Sequence, residues 1–514
     1  MSEFTNLPEL KKLPEPTLLF GYDQALEDPR DGLTLFGPLD ERKPHGVRAG
    51  VIGTKEGIEQ FTAWATRMQT LVTDKEQRLA RPPFPGFESV FGIAWRPQPD
   101  QTIELDKVEL ERRLYQGDTN QRVYDTVDFF TSSILDSKKR SETTVDIWFV
   151  IVPDDVYKYC RPQSKVESRI RTETLTKSNL KMTAKRAKNL KSQPSMFEED
   201  HLAAVAYEYD AHFRNQLKAR LLADQVLTQI IKESTIAYDA ESGRYGRGKI
   251  NLDNQQSAIA WNLCTSLFYK IGGRPWKIHG IRAGVCYIGL VFKQDEKSKD
   301  PRSSCCAAQM FLDSGDGIVF KGAVGPWHRP GRGDYHLDRS AAKELIEVAL
   351  REYKDVKGKP PSELFIHGKT NFHDEEWAGF LDAIGQEETR LVGVRIRDEL
   401  GFKLYTKGKQ AVLRGMALIF NEKRALLWTK GYTPRLKTYA GKEVPLPIAI
   451  TITRGSADIE VVLKDILALT KLNYNACIHG DGEPVTLKFA DAIGEVLTAG
   501  PVDDVPPLPF RFYI

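Results

Sequence analysis

Cysteine is sparse in this 514-residue chain, and the six present, Cys160, Cys264, Cys286, Cys305, Cys306 and Cys477, are scattered. The adjacent pair cannot form a Cys-x-x-Cys metal knuckle, so buried free thiols are expected. Long apolar runs are missing as well. The longest, residues 284–292 and 148–152, fall far short of the ~20 residues that a bilayer-spanning helix needs. The opening Met1-Ser2-Glu3-Phe4 lacks the cationic start and apolar run of a secretory signal, so a cytoplasmic location is expected. Charge of either sign is nearly balanced, 73 Lys and Arg against 70 Asp and Glu, for a formal +3. A polyanion would therefore have to be held by local basic clusters and not by the global field. What is present is an ordinary globular composition, 41% hydrophobic and 28% charged, at a length that suits two to four domains of roughly 150 residues.

The first sixteen residues are polar and punctuated by Pro8, Pro14 and Pro16, and read as a tail. Residues 28–33 carry turn-forming types ahead of an expected strand at 34–39, and Gly50-Val51-Ile52-Gly53 reads as another strand. Ile58, Phe61, Trp64, Ala65 and Met68 follow with helical spacing. Residues 146–153 form a run too apolar for an edge, hence a buried strand of an α/β domain. Between 165 and 191, nine Lys and Arg face only Glu167 and Glu173. That run reads either as a polyanion-facing loop or as a solvated insertion. From 208 to 234 the spacing is helical, which places Arg214, Lys218 and Gln229 on or beside one helix.

A second α/β unit starts at residues 284–292, followed by 306–312 and 317–321, joined by the hairpin residues Asp313-Ser314-Gly315-Asp316. A helix at 340–353 and a strand at 363–367 come next. Three antiparallel strands, a helix and a further strand is the order of the ribonuclease H fold. A nuclease of that fold needs carboxylates converging on two divalent ions. Where the first acid belongs the chain has Val291, and after Ile366 it reads His367-Gly368-Lys369. Asp374, Glu375 and Glu376 fit a helix N-terminus, where they complement the dipole, better than a metal site. Later segments are strands around 391–396 and 417–420, then helices at 458–472 and 484–497.

Several of these segments, taken in order, resemble the Argonaute family, specifically the short prokaryotic Argonautes that keep only the MID and PIWI domains. The segments are 28–39, Pro83-Phe84-Pro85-Gly86-Phe87-Glu88-Ser89-Val90-Phe91-Gly92, Pro484-Val485-Thr486-Leu487-Lys488-Phe489-Ala490-Asp491, and the end Pro506-Pro507-Leu508-Pro509-Phe510-Arg511-Phe512-Tyr513-Ile514. The resemblance implies an α/β chain with a tail (1–16), a Rossmann-like MID domain with an N-terminal extension (17–280) and a ribonuclease H-like PIWI domain (281–514). It also implies that Arg214, Lys218, Gln229, Asn262 and Lys270 grip the 5′ phosphate of a guide strand. Two ammonium groups and a guanidinium suit that anion, and Gln229 donates without adding charge. Without the resemblance, Lys218 and Lys270 read as surface residues of amphipathic helices. The C-terminal carboxylate of Ile514 is implied to help hold Mg2+ against the guide phosphate.

The slicing positions fall on Val291, Gly368 and Asp491, and two metals cannot be held by one carboxylate. The resemblance therefore implies a non-cutting sensor that uses a guide RNA to recognise single-stranded target DNA. In such systems an APAZ-containing partner protein forms a heterodimer with the Argonaute and carries the effector, a TIR or sirtuin-like NAD hydrolase or a nuclease, in prokaryotic immunity. Residues 28–39 and 156–162 look most like the TIR-associated kind. The alternatives are an active guide-directed nuclease drawing acids from Asp295, Asp313, Asp374 or Asp491, and a ribonuclease H-like interaction protein without a guide.

Overall fold

In the computed structural model, which describes residues 7–39, 46–239, 241, 243–246, 251–294, 304–312, 317–325, 336–385, 388–439, 441–501 and 508–514, the segment expected as a tail contains strand β1 (Glu9–Lys12). Its polar sequence hid this, because a strand at a sheet edge needs few apolar residues and takes its hydrogen bonds from its neighbour. Leu13 is buried beside it. Glu15 accepts hydrogen bonds from Arg414 Nε at 3.0 Å and pairs with Lys471 Nζ at 2.9 Å, which ties this segment to the C-terminal half. A second correction concerns residues 34–39. Helix α1 (Pro29–Phe36) occupies this stretch, with Asp28 capping the Arg30 N–H, proline at the first position and Gly37 ending it at φ +70°. These are helix start and stop signals that also read as a turn.

The first sheet has four parallel strands: β2 (Ala49–Gly53), β3 (Gln101–Glu104), β4 (Ile147–Val152) and β5 (Thr228–Lys232), in the order β3-β2-β4-β5. The central β4 is buried throughout, with Phe149 and Ile151 in one apolar cluster and Trp148, Val150 and Val152 in another. Helices α2 (Lys55–Arg67) and α3 (Thr119–Arg140) precede its strands. Helices α4 (Asp154–Tyr159), α5 (Ala184–Ser192), α6 (Glu198–Val205) and α7 (Phe213–Leu222) lie between β4 and β5, and α8 (Gln256–Lys270) follows. The long helix expected from 208 to 234 is thus a ten-residue helix and a strand. Leu227, Ile230 and Ile231 belong to the strand region, where burial on both faces of a parallel sheet imitates helical spacing.

The second sheet begins with β6 (Val285–Gln294), β7 (Ser304–Leu312) and β8 (Gly317–Gly325). Residues 313–316 lie outside the described residues. Helix α9 (Arg339–Lys357), strand β9 (Glu363–Gly368), helix α10 (Asp374–Ile384) and strand β10 (Arg390–Asp398) follow. Then come β11 (Met416–Asn421), β12 (Arg424–Leu427), β13 (Ile448–Arg454), α11 (Ile459–Leu469) and α12 (Val485–Leu497). The nine strands run β1-β11-β12-β13-β10-β9-β6-β7-β8, with β6 parallel to β9 and antiparallel to β7, the expected ribonuclease H arrangement at its centre. One face of this sheet packs on α9 and α10 through Ile288, Ile346, Ile366 and Phe380. The other joins α11, α12 and the C-terminal residues in an apolar cluster that continues into the first domain through Phe268 and Trp261. Among the described residues no helix is long and apolar enough to cross a membrane.

Candidate functional site

Helix α7 carries Arg214 and Lys218 four residues apart, hence on one face. That face turns toward the sheet, and Lys218 is buried. Gln229 stands on β5, and Lys270 is the last residue of α8, also buried. Lys218 Nζ lies 3.4 Å and Lys270 Nζ 3.0 Å from the same Thr228 carbonyl oxygen, and Lys270 also donates to Gln229 Oε1 at 2.6 Å. The Arg214 guanidinium donates to the Tyr513 carbonyl at 3.0 Å, which links α7 to the C-terminus.

These groups line one cavity of about 410 Å³, together with Arg161, His212, Lys232, Asn475 and Ile514. It opens at the carboxyl ends of β4 and β5, where α/β sheets commonly bind ligands. Five cationic side chains, Arg161, Arg214, Lys218, Lys232 and Lys270, line it, and no Asp or Glu side chain does. Outside the lining, Asp154 pairs with Lys232 at 3.8 Å and the Glu495 charge acts on Arg214, while only burial and neighbouring cations act on Lys218 and Lys270. Burial pushes the Lys218 ammonium well below its ordinary value, and the neighbouring Lys270 and Arg214 charges push the same way. Burial, with Arg214 adding to it, lowers Lys270 to about 7. Arg214 and His212 are lowered by burial too. A buried cation without a counter-charge is costly. This arrangement gains most when a multiply charged anion enters.

Asn262 does not join the cavity. Its side-chain oxygen accepts the Cys477 backbone N–H at 2.8 Å, so it fixes a loop of the C-terminal half. Ser266, one turn further along α8, has its hydroxyl 3.2 Å from Gln229 Oε1 and 3.1 Å from Asn475 Oδ1. Residue spacing singled out neither Arg161 nor Lys232. Their signal lies in the Tyr157 ring, with the Arg161 guanidinium 3.3 Å and the Lys232 ammonium 4.6 Å from its centroid at the cavity rim. The chain end is anchored by Phe510, whose ring stacks on Phe489, and by buried Tyr513 and Ile514. The terminal carboxylate and the Asn475 amide are oxygen donors suited to Mg2+. Amid so many cations, such an ion fits only alongside a bound anion.

On the second sheet, Val291 lies in the apolar cluster shared with Tyr287 and α12. A Cβ placed on Gly289 would sit 2.0 Å from the Thr486 carbonyl oxygen, so α12 rests directly on this strand. Gly289 pairs with His367, and it is His367, not Gly368, that shares this face. The His367 Nδ1 lies 2.9 Å from Thr486 Oγ1, and burial lowers its pKa to about 3, leaving a neutral imidazole. A side chain at Gly368 would meet Phe372, on the opposite face. The alternation of a strand decides this. Asp491 sits on α12 and is partly buried. Asp374 begins α10 and pairs with Arg454, while Glu376 accepts the His373 N–H at 3.3 Å, the helix-initiating role expected of this cluster. Asp295 and Asp313 lie outside the described residues. Among those described, no group of three or more His, Cys, Asp or Glu is placed to hold a metal ion.

No family model and no curated protein sequence matches the chain. Solved structures do. Clostridium butyricum Argonaute, bound to a guide DNA and a 19-mer target DNA, matches with a TM-score of 0.66 at 15% identity, over 99% of this chain and 55% of that one. Drosophila Piwi matches at TM-score 0.58 and 12% identity, over 98% and 56% of the two chains. Aa-Ago with externally bound siRNA matches at 0.55 and 12%, again over 98% and 56%. The chain therefore spans about half the length of these proteins, and over that half it has an Argonaute-like fold, with a parallel MID-type sheet joined to a ribonuclease H-like PIWI sheet.

Proposed function

We propose that the cavity beside α7 and α8 holds the 5′ phosphate of a short guide strand, and that the chain uses this guide to recognise a complementary nucleic acid without cutting it. The observation that carries the reading is the set of five cations around a cavity with no acidic side chain, two of them buried lysines drawn to one carbonyl. A terminal phosphate offers two negative charges and several acceptors to Arg214, Lys218 and Lys270, whose partners are the neutral Tyr513 and Thr228 carbonyls and Gln229 Oε1. Lys218, Lys270 and Arg214 would neutralise it, Gln229 would donate to it, and Arg161 and Lys232 would guard the rim. Mg2+, held by the Ile514 carboxylate together with the phosphate, would add neutralising charge. Base pairing along the guide would supply sequence recognition, as in other guided systems. The fold shared with an Argonaute bound to guide and target DNA supports the same reading.

Val291 at one slicing position, and a neutral His367 on the face where an acid would be needed, support a sensor over a nuclease. The expected ligands are a guide RNA and a single-stranded DNA target. The partner in this reading is an APAZ protein in a heterodimer, with NAD hydrolysis by a TIR or sirtuin-like domain as the output in prokaryotic immunity, and identification of the chain that co-purifies with this one tests it. Binding of short RNAs differing only in a 5′ phosphate or 5′ hydroxyl tests the central claim, and equal affinity would refute it. Site-specific cutting of a labelled target by the guide-loaded chain with Mn2+ would refute the non-cutting part.

A further inference from the structure

Between the pocket residues Arg161 and His212 the chain makes an excursion of fifty residues before returning to helix α7. From Thr174 to Phe197 this excursion has six Lys and Arg, namely Lys177, Lys181, Lys185, Arg186, Lys188 and Lys191, and no Asp or Glu. It is ordered. Helices α5 and α6 pack through Ala187, Leu190 and Ala204, with Met182 and Tyr207 against them. Asp200 accepts hydrogen bonds from Ser195 Oγ at 2.6 Å and the Leu180 N–H at 3.3 Å. The basic side chains of α5 are all exposed, while Ala187 and Leu190 face inward.

The excursion is also fixed in place. Thr119 donates to the Ser164 carbonyl at 3.2 Å, Gln121 Nε2 to Thr176 Oγ1 at 3.3 Å, and the Tyr207 hydroxyl to Asp118 Oδ2 at 2.5 Å. Thr119 and Gln121 belong to the first turn of α3, the helix that leads into β4. That first turn therefore lies at the end of the sheet where β4 and β5 finish and the cavity opens. Both ends of the excursion reach the cavity as well, since the Phe213 N–H donates to the Cys160 carbonyl at 3.1 Å. The excursion and the cavity therefore share one end of the sheet.

We propose that the exposed surface formed by Lys185, Arg186 and Lys188 of α5, with Lys181 just before it, holds the phosphodiester backbone of the oligonucleotide whose 5′ end occupies the cavity. This rests on the reading of the cavity as a phosphate site. The end is fixed by buried groups, and the backbone is held by exposed cations that exchange counterions for phosphates. The second kind of contact is the salt-dependent one.

The test is the affinity of a short 5′-phosphorylated RNA, and of its 5′-hydroxyl twin, measured across a salt series. The wild-type chain is compared with the variant K181Q/K185Q/R186Q/K188Q and with the charge-keeping variant K181R/K185R/K188R. Loss of the four charges should flatten the plot of log K against log salt by ~0.7 per lost phosphate contact, while the preference for the phosphorylated RNA stays as in wild type. The arginine variant should keep the wild-type slope. An unchanged slope in the glutamine variant, with the phosphate preference intact, would overturn the proposal and assign this face to another partner. Absence of phosphate preference in the wild-type chain would instead overturn the reading on which it rests. Should the fourfold variant misfold, K185E alone gives the same readout, because a single charge reversal on an exposed helix position removes one contact and repels its neighbour.

Discussion

At the residue scale, Lys218 and Lys270 are the positions where binding and stability pull apart. Replacing either with alanine should remove about 1.5–3 kcal/mol of 5′-phosphate binding, the range for a hydrogen bond to a charged group, as read by the affinity difference between phosphorylated and hydroxyl RNAs. Methionine at Lys218 should remove the same preference and yet raise the melting temperature of the ligand-free chain, because it relieves a buried cation that has no counter-charge. A surface lysine would show neither effect. Lys270 also gives a pH dependence of defined sign. Its folded-state pKa is about 7 against 10.5 for the ordinary side chain. Between those values the unfolded chain carries the extra proton, so ligand-free stability should rise with pH across that window. Bound phosphate favours the protonated lysine, so preference for the phosphorylated strand should weaken above about pH 7. Calorimetric titration in buffers of different ionisation enthalpy should then show proton uptake on binding.

At the element scale, the contact between β6 and α12 decides what the second sheet can hold. Gly289 leaves no room for a side chain because the Thr486 backbone lies where its Cβ would go. Gly289→Ala should therefore destabilise the chain by about 1–3 kcal/mol, the usual cost of overpacking a core, seen as a lower urea midpoint at unchanged slope. An unaltered midpoint would mean that α12 is not seated on this strand. The strand pattern of β6 and β9 was plain from their apolar runs. Which residue of β9 faces α12 was not, since a shift of one residue exchanges the two faces. That is why Gly368 was expected where His367 stands. Helix α7 shows the same limit. Its apolar residues and those of β5 formed one continuous helical pattern, and only pairing with β4 separates them.

At the scale of the whole molecule, β1 closes one edge of the nine-stranded sheet. Deleting residues 1–12 would uncover the backbone donors and acceptors of β11, whose sequence is Met416-Ala417-Leu418-Ile419-Phe420-Asn421. The truncated chain should self-associate, visible as a larger mass by light scattering, because an open apolar edge pairs with its own kind. A monomer after truncation would mean that other segments cover that edge. The α/β class and the strand-helix-strand order at the centre of the second sheet were legible in the sequence, since apolar periodicity is a local property, whereas Lys218 and Lys270 were singled out only by the family resemblance. The meeting point of the cavity residues was not legible there. Arg161, Arg214, Gln229, Lys270 and Ile514 come from segments up to 353 residues apart, and only the packing of the C-terminus against the MID sheet brings them around one cavity. Tertiary structure likewise tied Asn262 to the Cys477 backbone and enlisted the polar N-terminus as a strand, because both outcomes depend on distant backbone groups that no local pattern encodes.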